Sequence, residues 1–283
     1  MTSDFGRFMS APSPTPFEMA EPIDEEEALR WLRATDDPSA QYYAAWWLGR
    51  HRSQHPDTLP LLLAAMRQRR ARQIGDGVEE NAVARNATRA VGKLGPHASE
   101  AIPTLLELLD DPDYGLREAA ARSLGSLKAK AALPALLARL QSGPDVAGAR
   151  ALDSATLVEP CEALLEAIGD LGISGDEVLG VLESFSTHER PVVQSSACRS
   201  LLQLTQEPRW GERLKALLLH PQLQVRRAAL MDLGAAGWRP ATQAIAATLA
   251  ENSLKLIALR GLVESAPSDS FDEEIFEVMD GLL

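Results

Sequence analysis

LREAAARSLG (116–125) and VRRAALMDLG (225–234) share one pattern: an aliphatic residue, two charged residues, two alanines, three variable positions and a closing Leu-Gly. Shorter forms of the same ending occur as AWWLG, RAVG, EAIG, RSLL and RGLV. Aligned on the last residue, the seven copies give Gly49, Gly92, Gly125, Gly169, Leu202, Gly234 and Val263. Successive anchors lie 29 to 44 residues apart, the spacing of a repeated helix pair. One place before the anchor stand Leu48, Val91, Leu124, Ile168, Leu201, Leu233 and Leu262; five places before it stand Ala44, Ala87, Ala120, Leu164, Ala197, Ala229 and Ala258. Both columns are packing positions, branched where helices interlock and mostly small where they approach.

Each copy is preceded by a first helix, expected over Asp24–Arg33, Thr58–Ala71, Ser99–Leu109, Ala131–Leu140, Asp176–Ser186, Gly211–Leu219 and Ala241–Ala250. Alternating β-branched runs are absent, so strands are not expected. The two quoted decapeptides resemble the second helix of a HEAT repeat. The expected fold is therefore all-α: an α-α superhelix, a HEAT/armadillo-like solenoid of about seven helix pairs. Residues 1–22 carry Pro12, Pro14, Pro16 and Pro22 without a period and read as a disordered leader. The solenoid is expected over 23–265. Residues 266–283 form an amphipathic helix (Phe271, Ile275, Met279, Leu282) that caps the end or docks a subunit.

Composition narrows the function. A net charge of −12 opposes a protein that tracks nucleic-acid phosphates. The basic group Arg67, Arg69, Arg70 and Arg72 reads as a solvated face or as a docking patch for an acidic protein. Two cysteines, Cys161 and Cys198, give no disulfide framework and fit a reducing cytoplasm. No apolar run is long enough to span a membrane, and no secretory signal pattern opens the chain. His51 and His55 share a helical spacing, but Pro56 follows and no third ligand is near, so no metal is expected.

Seven and three places before the anchor lie two further columns, four residues apart and thus on one helix stripe. Their occupants are mainly charged: Arg85 with Arg89, Glu118 with Arg122, Glu162 with Glu166, Ser195 with Arg199, Arg227 with Met231, Leu256 with Arg260. The stripe is therefore expected to be exposed, and in a HEAT-like solenoid it faces the concave side. In the first repeat its occupants are Tyr42 and Trp46, within QYYAAWWLG (41–49). These rings read as a stacking surface for a flat conjugated ligand or for a partner's apolar anchor. Tyr43 and Trp47 read as a seal for the end of the solenoid. The longer steps carry Arg72–Glu80 and Ser142–Ala155, insertions that belong to a binding edge or are tolerated loop drift.

Glu162 and Glu166 form a carboxylate pair on one face, where repulsion can raise one pKa and supply a proton donor; a solvated acidic stripe is the alternative. Arg85, Arg89, Arg226 and Arg227 suit carboxylate ligands, or pair with neighbouring acids. Cys198 falls in a buried column, and Cys161 has no activating neighbour in sequence.

Taken together, QYYAAWWLGR (41–50), EPCEALLEAIG (159–169), LQVRRAALMDLGAAGW (223–238) and AENSLKLIALRGLVE (250–264) resemble the E-type subunit of the E/F phycobilin lyases, nearest to the type that serves phycocyanin α chains in cyanobacteria. The likeness covers about residues 24 to 265. It implies a heterodimer with an F-type subunit that attaches an open-chain tetrapyrrole, through a thioether, to a cysteine of a phycobiliprotein α subunit. The bilin is the transferred substrate, and no cofactor is implied. In that setting Tyr42 and Trp46 would stack on pyrrole rings, Arg85 and Arg89 would pair the two propionates, and Arg227 would be a further bilin-binding residue. Glu162, Glu166 and Asp232 would handle the proton, with Asp232 alternatively accepting pyrrole N–H bonds. The rival expectation is a non-catalytic HEAT scaffold or chaperone for complex assembly.

Overall fold

The computed structural model describes residues 23–68, 81–265 and 273–283. The expected leader, the Arg72–Glu80 insertion, Arg69, Arg70, Arg72 and Phe271 lie outside them. Fifteen α-helices are described, with one isolated antiparallel bridge, Arg150 to Leu157, and no longer strand among the described residues. The first helices are α1 (Glu25–Arg33), α3 (Thr58–Met66), α5 (Ile102–Leu108), α7 (Leu133–Leu140), α9 (Asp176–Phe185), α11 (Pro208–Leu217) and α13 (Thr242–Ala247). They alternate with the second helices α2 (Pro38–Arg50), α4 (Ala82–Lys93), α6 (Tyr114–Ser126), α8 (Cys161–Leu171), α10 (Pro191–Thr205), α12 (Leu223–Ala236) and α14 (Asn252–Glu264); α15 (Glu273–Asp280) follows.

Each second helix packs on its own first helix and on the second helices before and after it, so α2, α4, α6, α8, α10, α12 and α14 stand in a row. The seven helix pairs are as the period implies. Several ends differ for local reasons. α11 starts at Pro208 rather than Gly211, because proline is preorganised for the first helical turn. α13 stops at Ala247, where Thr248 turns extended and donates its hydroxyl to the Leu218 carbonyl. A 3-10 turn over Gly95–Ala101 precedes α5.

The anchor column has a steric cause. A Cβ on Gly49 would lie 2.7 Å from the Ala90 Cα, one on Gly125 2.9 Å from the Ala167 Cα, and one on Gly234 2.8 Å from the Ala258 Cα. These are backbone contacts between successive second helices, and only glycine permits them. The two packing columns, Leu48 to Leu262 and Ala44 to Ala258, are buried.

The insertion between α7 and α8 is an ordered loop. Ala151 and Val158 donate backbone N–H groups to Thr156 and Ala149 across the bridge. Arg117 reaches the Val158 carbonyl and the Glu159 carboxylate (3.3 Å), and Arg139 approaches the same carboxylate at 3.6 Å. The Cys161 thiol donates to the Ala147 carbonyl. The start of α8 is therefore fixed to α6, α7 and the loop together. At the other end, α15 packs on α13 and α14 with Ile275 buried.

Candidate functional site

Successive second helices bring their stripe residues side by side. Between α6, α8, α10 and α12 these residues line a groove of about 620 Å³. Its polar wall holds Glu118 and Arg122 from α6, Glu162 and Glu166 from α8, Ser196 and Arg199 from α10, and Asp232 from α12; Val192, Ala228 and Met231 add an apolar part.

Arg199 organises this wall. Its Nη2 donates to Asp170 at 2.7 Å, and its Nη1 lies 3.4 Å from Glu166 and 3.7 Å from Asp232. One guanidinium thus meets carboxylates from α8 and α12, and its Nε is buried without a hydrogen-bond partner. Burial opposes the charge on Arg199, but Asp170, Asp232 and Glu166 more than offset that and hold it protonated. Glu166 also pairs with Arg122 and accepts from the Ser196 hydroxyl at 3.1 Å. Arg122 in turn bonds Glu118 at 3.3 Å.

Asp232 is the buried member, its side chain 6% exposed. Ser195 donates to its Oδ2 at 2.5 Å, whereas Oδ1 has only the 3.7 Å approach of Arg199. Burial, and then the nearby Glu166 charge, push the Asp232 carboxyl up to about 7, against the opposing pull of Arg199 and Ser195. It can therefore gain or lose a proton near neutrality, the property a general acid–base needs.

The residues singled out from sequence fall into three places. Glu162, Glu166 and Asp232 share the groove, with Arg89 at its edge, 3.8 Å from Glu118. Arg85 is engaged by an acid, the alternative that its sequence left open: it binds both oxygens of Asp113, which caps α6 by accepting from the Leu116 N–H. Arg227 is exposed and paired with Glu251. Tyr42 and Trp46 are 44% and 40% exposed, as the stripe predicts, but they lie on α2, with α4 between them and α6.

Tyr43, read as a seal for the solenoid's end, is 42% exposed and lies between Trp46, on which it stacks at 5.4 Å, and Trp31 of α1 at 6.0 Å. Trp47 alone turns inward, stacked on His51. One expectation is corrected: the charged stripe is not uniformly exposed. Ser195 is fully buried, and Arg199 and Glu166 keep only 12% and 15% side-chain exposure, because each is engaged by partners on adjacent second helices. Glu118, Arg122, Ser195 and Arg199 are stripe residues for which the sequence suggested no role. The signal for Arg199 lay across repeats, where Arg122, Glu166 and Arg199 occupy one column with alternating charge.

Both cysteines are buried. Burial, then neighbouring carboxylates, push the Cys161 thiol up to about 12; burial pushes Cys198 up to about 11. Among the described residues, no group of three histidines, cysteines or carboxylates is placed to hold a metal, and no helix is long and apolar enough to cross a membrane.

Fold and groove together define a HEAT-like solenoid with an ionisable groove on its second helices. The family descriptions agree: residues 77–155 match HEAT repeats and residues 40–68 match the PBS lyase HEAT-like repeat. Bilin biosynthesis protein RpcE of Synechococcus sp. strain WH8020 is 46% identical over 93% of this chain and 96% of its own length. Phycocyanobilin lyase subunit alpha of Picosynechococcus sp. is 42% identical over 94% of this chain and 99% of its own. Among solved structures, the complex of CpcE and CpcF of phycocyanin lyase from Nostoc sp. PCC7120 superposes with a TM-score of 0.82 at 39% identity, covering 97% of this chain and 100% of the matched one. The chain belongs to the family of phycocyanobilin lyase alpha subunits, the E-type subunits.

Proposed function

We propose that this chain, paired with an F-type subunit in the cytoplasm, attaches a phycobilin to a cysteine of a phycocyanin-type α chain. Its kinship with lyase alpha subunits along nearly the whole chain supports the activity. The single structural observation that carries the site is the Arg122–Glu166–Arg199–Asp232 network on the wall of the groove.

The reaction is an addition. The client's sulfur forms a bond to the bilin's ethylidene carbon, the ethylidene π bond breaks, and the thiol's proton ends on the bilin. No cofactor is required, because nothing is oxidised or reduced. A free thiol of pKa about 8.5 is mostly protonated at neutral pH, so an acceptor for its proton and a donor to the bilin both help. Asp232 is the proton-carrying candidate, Glu166 and Glu162 its neighbours on the same wall. The chain's own cysteines, buried and held as thiols, do not carry the pigment. Holding the pigment in one pose supplies the remainder of the catalysis. Arg89, at the groove edge, is placed to meet a propionate; Tyr42 and Trp46 offer a separate aromatic surface for the pigment's end or for a partner.

The test is co-expression with an F-type subunit, a bilin source and a phycocyanin α chain. Zinc-enhanced fluorescence of the denatured client reads covalent bilin. Loss of that signal with Glu166→Gln and Asp232→Asn combined, in a folded heterodimer, is the expected result. Full transfer by the double variant removes the groove from the mechanism. No transfer by the unaltered pair leaves the chain as a scaffold or chaperone.

A further inference from the structure

We propose that the groove takes the tetrapyrrole nitrogen side inward, as the cation in which all four ring nitrogens bear hydrogen, with Asp232 and Glu166 opposite those nitrogens and the propionates outside. This rests on the reading of the groove as the bilin site and specifies the charge state and the face of the pigment that it selects.

The charge balance of the wall is the first reason. Glu118, Glu162, Glu166 and Asp232 line it against only Arg122 and Arg199. Both arginines are already engaged: Arg122 with Glu118 and Glu166, Arg199 with Asp170, Glu166 and Asp232. A propionate entering here meets an excess of like charge with no guanidinium free to receive it. The nitrogens are different. A neutral bilatriene presents three N–H donors and one imine lone pair. Against carboxylates that lone pair is repelled, and a proton converts it to a fourth donor.

The second reason is the geometry of Asp232. Ser195 fixes one carboxylate oxygen, leaving Oδ1 beyond ordinary hydrogen-bond distance of its neighbour Arg199 at 3.7 Å. That oxygen retains accepting capacity on a side chain that lines the groove. Arg199 acts as the positioning residue, since it holds Glu166 and Asp232 from two helices around one guanidinium.

The groups that face Asp232 are Ser195 and Arg199 from α10, Glu166 from α8 and, more weakly, Arg122 from α6. Charged groups of its other packing neighbours are held elsewhere. Lys255 donates to the Ala246 carbonyl, Arg260 pairs with Glu264, Arg213 donates to the Ser186 carbonyl, and Lys215 pairs with Glu212. The groove volume of about 620 Å³ lies within the ordinary range for an organic ligand.

The test is an absorption titration of phycocyanobilin with the reconstituted heterodimer from pH 6 to 9. The protonated pigment has a stronger, red-shifted long-wavelength band than the neutral one. The bound pigment is expected to keep the cation band at least about one pH unit above the range in which the free pigment loses it, a tenfold gain in proton affinity. Asp232→Asn should reverse most of that shift, and Arg199→Lys part of it. If Asp232→Asn fails to fold, as judged by helical circular dichroism, Glu166→Gln serves for the same comparison. Bound pigment with a neutral spectrum overturns the proposal while leaving the groove as the bilin site, as does a shift that survives both carboxylate substitutions. A pigment whose spectrum the heterodimer does not alter overturns the groove reading as well.

Discussion

Asp232→Asn should make the chain more stable at pH 8 than the unaltered protein. The native carboxyl titrates at about 7, against an ordinary value of 3.8 in an unfolded chain. The native state therefore keeps a proton that the unfolded state has already released, and stability falls as pH rises between those values. The fall starts near pH 4 and levels off above about pH 7. A difference of about three units corresponds to at most about 4 kcal/mol at 1.36 kcal/mol per unit. Asparagine keeps the acceptor for the Ser195 hydroxyl but gives up the 3.7 Å approach of Arg199. Arg199 retains Asp170 and Glu166, and its pull on Asp232 is already contained in the value of about 7. The net expectation is therefore stabilisation of at most about 4 kcal/mol at pH 8, shrinking steadily toward pH 4. Urea unfolding followed by circular dichroism at pH 5, 6, 7 and 8, for both proteins, measures it. A difference independent of pH, or one that grows as pH falls, refutes the argument that burial governs this carboxyl.

The other expectations concern packing, the Arg85 clasp, the aromatic face and the thiols. Gly234→Ala should destabilise by about 1–3 kcal/mol, since its Cβ meets Ala258 backbone at 2.8 Å. Gly180→Ala, exposed in α9 with nothing within 4 Å, should instead stabilise by up to about 1 kcal/mol; urea midpoints of the two give opposite signs if the anchor column is steric. Arg85→Ala should cost about 1–3 kcal/mol at neutral pH and leave bilin transfer by the folded protein unchanged. Burial would raise the Asp113 carboxyl, but hydrogen bonds from Arg85 and Asn81 outweigh it and hold it below its usual value. That stabilisation is present above about pH 4 and disappears as pH falls through the lowered value, so the variant's deficit should vanish in acid. Trp46→Ala, at a ring 40% exposed, should lower the unfolding midpoint only slightly; in the zinc-fluorescence assay it should reduce transfer at least about tenfold if the aromatic face holds pigment. A thiol-reactive dye should label neither Cys161 nor Cys198 in the folded chain and both in denaturant, because both are buried as thiols.

The solenoid was legible because every second helix has the same neighbours. A position that meets the preceding helix in one repeat meets it in all, so packing leaves columns that one sequence suffices to read: Leu48 to Leu262, Ala44 to Ala258, and the glycine anchors. The site was half legible for the same reason. The stripe carrying Glu162, Glu166 and Arg199 could be placed, but its pairings depend on the offset between adjacent helices, which no repeat states by itself. That offset sends Arg85 to Asp113, the residue just before α6, and Arg199 to Asp170, one residue past the α8 anchor. Tyr43 keeps its exposure because its column faces the preceding repeat, and among the described residues α2 has only α1 on that side.

The break in the period between α7 and α8 has a consequence for the groove. The loop over 141–160 is not slack between repeats, since Glu159, at its end, is gripped by Arg117 of α6 and Arg139 of α7, and Cys161 is bound back to Ala147. These contacts set where α8 begins. Glu162 and Glu166 stand on the next two turns, so the loop fixes the height of both carboxylates on the groove wall and the height at which Glu166 meets Arg122 and Arg199. A repeat of ordinary length would let α8 settle by helix packing alone, with its acids wherever the ridges and grooves leave them. The longer connection adds an independent constraint at the one helix that carries two groove carboxylates. Glu159→Gln should then weaken the groove from outside it: bilin transfer falls and the fold holds, although residue 159 does not line the groove. Transfer equal to that of the unaltered chain would show that helix packing alone positions Glu166.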